Sequence, residues 1–84
     1  MTEIEYNILD QLYFVTSYQK LREELGYSHD QLKFNLREMI KNGLVRVYNE
    51  IDQELEQDKL DMQHSFQSYY YLASKKGLFE HNSR

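Results

Sequence analysis

Basic side chains fall at the spacing of one helix face in the middle of the chain. Arg37 and Lys41 lie four residues apart, and Lys33 precedes Arg37 by four residues. Residues at this spacing share a face of an α-helix, so two ammonium groups and a guanidinium would line one surface. Such groups bind phosphates, and arginine or lysine can also contact the edge of a guanine. The pattern therefore favours contact with a nucleic acid.

Other residues of the same stretch favour different interpretations. Asp30 and Glu38 would repel phosphates, so a solvated face neutralised by neighbouring acids is the alternative. Phe34 lies nearly opposite the apolar stripe of its helix, and we expect it to be exposed unless a neighbouring element covers it. There it could contact a thymine methyl group or anchor a protein interface. His29 would lie beside these contacts.

No arrangement of residues points to catalysis. The histidines His29, His64 and His81 fall in three separate regions, without the spacing of metal ligands. Cysteine is absent, which excludes disulfides and thiolate metal sites. The serines lie at predicted helix caps rather than in a nucleophile motif. We expect a protein that is not an enzyme and has no metal, no cofactor and no evident small-molecule ligand.

The basic face belongs to the third of three predicted helices. Its apolar stripe recurs at helical spacing and consists of Leu32, Leu36, Met39 and Ile40. Ser28, with Gln31 three residues later, predicts a capping box at its start, and the Asn-Gly pair at residues 42–43 predicts its end. A shorter helix ends at Gly26. Two short amphipathic helices joined by a tight turn that contains glycine are typical of a helix-turn-helix.

The first helix shows its own start signal. Thr2, with Glu5 three residues later, predicts a second capping box. β-Branched and aromatic residues at 13–15 predict the end of this helix there. The short second helix then begins after Thr16 or Ser17.

Beyond the third helix the pattern changes to that of strands. Residues 44–48 and 68–73 are rich in β-branched and aromatic residues, and predict an antiparallel hairpin. The connection between them has apolar residues near helical spacing, which predicts a partly helical segment: Ile51, Leu55, Met62 and Phe66. Ser74 can cap a last helical turn, which Gly77 should limit.

The acidity of the chain is concentrated in this connection. The formal net charge is −4, and residues 49–61 hold six acids and one base, which is −5 and leaves +1 for the rest. The segment could be a solvated loop. It could also repel DNA and confine binding to the third helix, or imitate a nucleic acid and occupy a basic surface.

Length and composition indicate one domain over residues 1–84. The apolar content, 40%, is too high for a disordered tail. No stretch approaches the roughly 20 apolar residues of a membrane span, and the first residues are acidic and lack the apolar core of a signal peptide. We expect a cytoplasmic protein without a membrane partner.

Three helices followed by a hairpin resemble the winged helix-turn-helix superfamily. The resemblance covers about residues 3–80 and rests on residues 8–12, 18–25, 26–28, 32–36 and 40–45. Residues 71–77, Tyr-Leu-Ala-Ser-Lys-Lys-Gly, are similar to an ending found in many bacterial winged-helix regulators. The acidic wing departs from the usual basic one and argues against wing contact with phosphates.

The resemblance implies an α+β, mainly α, winged helix with a two-stranded wing. It implies a DNA-binding transcriptional regulator that places the third helix in the major groove of double-stranded DNA. A homodimer or a protein partner would supply further specificity, and a protein-interaction module without DNA binding is the alternative. The predicted contact residues are His29, Lys33, Phe34, Arg37, Lys41, Arg46, Lys75 and Lys76.

Overall fold

The computed structural model of the protein describes residues 1–50 and 52–83. This part of the chain is an α+β domain with four α-helices and one four-stranded antiparallel sheet. The helices are α1 (Glu3–Asp10), α2 (Tyr18–Leu25), α3 (His29–Lys41) and α4 (Lys75–Asn82). The strands are β1 (Thr16–Ser17), β2 (Val45–Glu50), β3 (Gln53–Leu55) and β4 (Tyr70–Ala73).

α1 begins as predicted and ends earlier. Thr2 and Glu5 form the expected capping box, with the Thr2 hydroxyl accepting from the Glu5 amide at 3.2 Å. The prediction that the helix extends to residues 13–15 is wrong, because it ends at Asp10. Leu12 instead accepts a backbone hydrogen bond from Ala73 at 2.9 Å, which draws the chain out of the helix and toward the sheet.

The junction between α2 and α3 is confirmed. Ser17 caps α2, accepting a hydrogen bond from the Lys20 amide. Gly26 ends this helix with φ at +73°, in the left-handed region where glycine is favoured. Ser28 and Gln31 then form the predicted capping box of α3. Local sequence signals therefore determine both helices and the tight turn between them.

The sheet is larger than the predicted hairpin. Its strand order is β1-β4-β2-β3, and the predicted antiparallel pair is its centre, with Val47 opposite Tyr71. The prediction of only two strands is wrong, because β1 pairs with the outer side of β4 and β3 pairs with β2. β1 has two residues and β3 has three, too few to produce an alternating pattern in the sequence.

The acidic connection contains no α-helix among residues 52–69, which contradicts the prediction from its spacing. Leu55 ends strand β3, and Ile51 lies outside the described residues. Two single 3-10 turns follow, Gln57–Lys59 and Phe66–Ser68. Phe66 is buried, so its apolar side chain packs on the core without a helix to carry it.

α4 is longer than the single turn that Gly77 was expected to allow. Ser74 caps it as predicted, accepting from the Gly77 amide at 3.0 Å. The helix continues for eight residues. Gly77 is buried against Leu44 and Leu9, so the missing side chain lets the helix approach the Leu44 backbone, just before β2, closely.

The core lies between the helices and the inner face of the sheet. Fully buried side chains from the first three helices meet two from the central strands: Ile8, Leu9, Leu21, Leu32, Leu36, Met39, Val47 and Tyr71. The three consecutive tyrosines around the start of β4 alternate in burial, since Tyr69 and Tyr71 are buried and Tyr70 is half-buried. Within residues 1–50 and 52–83, no helix has the length and apolar character needed to cross a membrane.

Candidate nucleic-acid interface

The outer face of α3 lies opposite the apolar stripe of the helix, which is buried in the core. Leu32, Leu36, Met39 and Ile40 are all buried. Because a helix turns by about 100° per residue, positions 30, 34, 37, 38 and 41 must point away from the core. The structure therefore presents most of the predicted contact residues of α3 on one exposed surface.

Phe34 lies at the centre of this surface. It is 64% exposed, so neither the sheet nor another helix covers it. Asp30 is exposed beside it and Glu38 is half-buried. An aromatic ring flanked by acids and bases is thus available to a partner.

Arg37 and Lys41 are the free cations of the α3 surface. Both side chains are exposed, and within the described residues neither makes a hydrogen bond or an ion pair. Their charges are therefore not neutralised by the fold. They lie four residues apart on α3, as the sequence predicted.

Lys33 lies at the flank of the surface. It is half-buried, and its Nζ atom is 5.5 Å from the centre of the Phe66 ring, a cation–π distance. This contact ties α3 to the second 3-10 turn of the acidic connection. Lys33 is consequently less free to reach a ligand than Arg37.

His29 is held at the start of α3. Its Nδ1 atom is 2.7 Å from the Tyr18 hydroxyl, and the two rings stack with an interplanar angle of 14°. Nε2 makes no contact within hydrogen-bond distance among the described residues, and the exposed side chain lines a pocket between α2 and α3. The side chain is thus oriented, with one nitrogen available.

Arg46 belongs to a different surface. It lies on β2 and forms an ion pair with Glu54 of β3, including a hydrogen bond of 2.8 Å from Nε to Oε2. This hydrogen bond lowers the pKa of the Glu54 carboxyl and raises that of Arg46. An acid of β3 thus neutralises the arginine of β2, and Arg46 does not extend the cationic surface of α3.

The two lysines of α4 differ in their surroundings. Lys76 donates through Nζ to the Asn42 carbonyl oxygen at 2.8 Å, which places its charge beside the end of α3. Lys75 is exposed and has no hydrogen-bond partner in residues 1–50 and 52–83. Only Lys76 is therefore brought near the α3 surface by a direct contact.

The acidic connection packs beside the end of α3, which the sequence did not predict. Gln57 donates from its side-chain amide to the Ile40 carbonyl oxygen at 2.8 Å. Glu56 and Leu60 line a groove with Ile40. Glu56 and Asp58 are both exposed, so negative charge borders the surface that carries Lys41.

A second polar cluster joins α4 to α1. His81 is only 8% exposed, and its Nδ1 atom is 2.8 Å from the Tyr13 hydroxyl. Its Nε2 atom lies 3.2 Å from Asp10 Oδ1, within ion-pair distance but without the geometry of a hydrogen bond. The Tyr6 ring stacks on the imidazole at 4.3 Å. No sequence signal marks this cluster, because its members come from opposite ends of the chain.

The described residues contain no group of three or more His, Cys, Asp or Glu side chains arranged to hold a metal ion. Comparison with protein-family models, with curated proteins and with solved structures finds no match to the chain.

Proposed function

We propose that the protein is a winged helix-turn-helix domain that binds double-stranded DNA. α3 would lie in the major groove, and β2 and β4 would form the central strands of the wing sheet. The observation that carries the proposal is the pair of free cations, Arg37 and Lys41, on the exposed face of a well-capped helix. A short turn from α2 supports this helix, as in other helix-turn-helix proteins.

Each residue of the surface has a proposed role. Arg37, as an unpaired guanidinium, can bind a guanine edge through two hydrogen bonds. Lys41 and Lys76 would bind phosphates at one end of the helix. Phe34 would contact a thymine methyl group, and His29 would donate from Nε2 at the other end.

Size limits what one copy can recognise. A single α3 reads few base pairs, so useful specificity requires a second copy or another protein on the same DNA. We propose a regulator of transcription that acts in this way. In this proposal, contact by the wing is minor, because Glu54 neutralises Arg46.

The test is fluorescence anisotropy with labelled random-sequence duplex DNA across a range of salt concentrations. The variant is Arg37→Ala/Lys41→Ala. The control is Lys20→Ala/Lys75→Ala, which removes the same charge from exposed positions of α2 and α4. If the proposal holds, wild-type affinity falls steeply with salt. The α3 variant binds more weakly, and the slope of log K against log salt falls by about one for each phosphate contact removed.

The results separate this proposal from its alternatives. Equal weakening in both double variants would show that only net charge matters and would refute a specific role for α3. No binding by the folded wild type at low salt would refute DNA binding.

A protein-binding module is the second candidate, and the exposure of Phe34 favours it. The ring is 64% exposed and lies between Asp30 and Glu38, an arrangement that suits an aromatic anchor with a charged rim. Phe34→Ala distinguishes the two. Loss of a protein partner captured by the wild type, with no change in DNA binding, would support the second candidate.

A further inference from the structure

A pocket opens where α2, the turn after it and α3 meet. Its volume is about 570 Å³, within the range of small-molecule sites. The walls come from α2, from Gly26 and Tyr27 of the turn, from His29 at the start of α3, and from Gln67 of the second 3-10 turn. Segments distant in the sequence therefore converge on one concave surface.

Arg22 and His29 line the pocket with nitrogen atoms that are oriented but have no hydrogen-bond partner among the described residues. The Arg22 Nε atom donates to the Tyr27 carbonyl oxygen at 3.2 Å, which fixes the plane of the guanidinium. The terminal nitrogens of Arg22 have no hydrogen-bond partner in the described part of the chain. His29 is also held in place, because its Nδ1 atom is hydrogen-bonded with the Tyr18 hydroxyl at 2.7 Å, and its Nε2 atom has no hydrogen-bond partner among the described residues. Groups held in place by other contacts lose little freedom when a ligand binds.

Aromatic rings supply the apolar part of the pocket. Tyr18 is buried and stacks with His29. Tyr27 is held by a hydrogen bond from the Asn7 side-chain amide to its hydroxyl at 3.0 Å. Because Tyr18 is only 2% exposed and His29 covers its ring, Tyr27 is the ring that a ligand can pack against, and its hydrogen bond holds it in place before the ligand binds.

The charges of the lining indicate which anion fits. Arg22 contributes one positive charge, and its planar fork matches a carboxylate. Glu23 lies in the same wall and accepts a hydrogen bond from the Gln19 amide at 3.1 Å. This second carboxylate opposes a doubly charged phosphate more strongly than a singly charged group. The balance favours a monocarboxylate.

We propose that this pocket binds a small aromatic monocarboxylate, with the carboxylate on Arg22 and His29 and the ring against Tyr27. The pocket can bind its ligand without DNA, although it uses the same His29 Nε2 atom as the proposed DNA contact, so the two ligands would compete for this atom. Because the ligand would contact both α2 and α3, its binding would stiffen the junction that positions α3.

The test is an NMR titration of the full chain with sodium phenylacetate, followed through backbone amide shifts. Phenylacetamide is the matched neutral probe, and phenethylamine is the matched cation. We expect saturable shifts at Tyr18, Arg22, Tyr27 and His29 with phenylacetate, and much weaker shifts with the other two probes. Arg22→Gln should weaken binding by at least about tenfold, because a charge-assisted contact is lost, and His29→Gln should weaken it to a smaller extent.

Controls make the result decisive. Lys20→Gln removes a cation from α2 outside the pocket, and should bind phenylacetate as the wild type does. The spread of the amide spectrum shows whether each variant is folded. Arg22 is exposed, so Arg22→Gln has the lower risk of unfolding, whereas His29→Gln removes the hydrogen bond between His29 and the buried Tyr18. No shifts at millimolar phenylacetate, equal shifts with phenylacetamide, or binding unchanged in Arg22→Gln would each overturn the proposal. If Arg22→Gln weakened DNA binding and left phenylacetate unaffected, the pocket would be part of the DNA surface instead.

Discussion

At the scale of single residues, Tyr71 connects the sheet to the acidic connection. It is fully buried at the centre of the sheet, opposite Thr16 on one side and Val47 on the other. Its hydroxyl donates to the Phe66 carbonyl oxygen at 2.6 Å. A buried polar group is stable only when it is hydrogen-bonded, so this bond holds the second 3-10 turn against β4.

Replacing Tyr71 with phenylalanine should destabilise the protein at neutral pH. The change removes the donor and leaves the Phe66 carbonyl unpaired in a buried place, which costs about 1–2 kcal/mol. Urea denaturation measures this cost. Tyr70→Phe is the control, because Tyr70 is the half-buried neighbour on β4 and makes no hydrogen bond through its hydroxyl to any described residue. An equal loss in both variants would contradict the role given to the Tyr71 bond.

The same residue should make stability depend on alkaline pH. Burial raises the pKa of Tyr71 above the ordinary tyrosine value of 10.0. Above pH 10.0, the Tyr71 hydroxyl loses its proton in the unfolded chain and keeps it in the folded chain. The free energy of unfolding should therefore fall with a contribution of about 1.4 kcal/mol per pH unit from this group. Wild type should lose stability more steeply than Tyr71→Phe between about pH 10 and 11. Parallel slopes for the two proteins would contradict the prediction.

At the scale of secondary-structure elements, α4 depends on the absence of a side chain at Gly77. A Cβ atom there would overlap the Leu44 carbonyl oxygen and come within 3.0 Å of the Leu9 side chain. The Leu44 oxygen also accepts a hydrogen bond from the Ser74 amide at 2.9 Å, so it cannot move away freely. Close packing of α4 on the Leu44 backbone, just before β2, thus requires glycine at this helical position.

Gly77→Ala should consequently destabilise the protein, although alanine is the better helix former. In an exposed helix the change would stabilise by about 1 kcal/mol. Here the overlap with backbone should cost more, giving a net loss of roughly 2 kcal/mol, measured by thermal or urea denaturation. Lys75→Ala, at an exposed position of the same helix, should change stability little. A Gly77→Ala protein as stable as wild type would show that α4 can shift without cost.

Elements with local signals were predictable from the sequence, and elements that depend on distant partners were not. The caps at Thr2, Ser17 and Ser28 need only a few consecutive residues, so their helices begin where predicted. Strand β1 exists only because β4 lies beside it, and two residues carry no pattern of their own. The length of α4 was missed for a related reason, since the close packing of Gly77 on Leu44 is a tertiary contact.

The candidate nucleic-acid interface shows the same contrast between features that follow from local sequence and features that depend on distant partners. Helical spacing was sufficient to predict that Phe34, Arg37 and Lys41 would point outward from α3. Spacing contains no information about which charges are already paired, so the ion pair between Arg46 and Glu54 could not be predicted. The pocket at Arg22 also depends on tertiary contacts, because the turn, α2 and residue 67 meet only in the folded chain.

At the scale of the whole molecule, the main feature is where the negative charge lies. The connection is anchored by the buried residues Phe66 and Tyr69, and by the bond from Gln57 to the Ile40 carbonyl. Its acids are therefore held beside the end of α3. In the proposed DNA complex, a charged border of this kind would weaken the positive potential at this end of α3.

Neutralising that border should strengthen DNA binding. Two charges about 10 Å from a phosphate each cost about 0.4 kcal/mol in water, so Glu56→Gln/Asp58→Asn should raise affinity roughly fourfold at low salt. The gain should shrink near physiological salt, where the Debye length is about 8 Å. The control Glu50→Gln/Asp52→Asn removes the same charge at exposed positions beside the β2–β3 turn, and should have a smaller effect. Anisotropy titrations of both variants measure the two gains in affinity. Equal gains would mean that net charge acts over the whole molecule. A gain confined to positions 56 and 58 would mean that the border itself restricts access to α3.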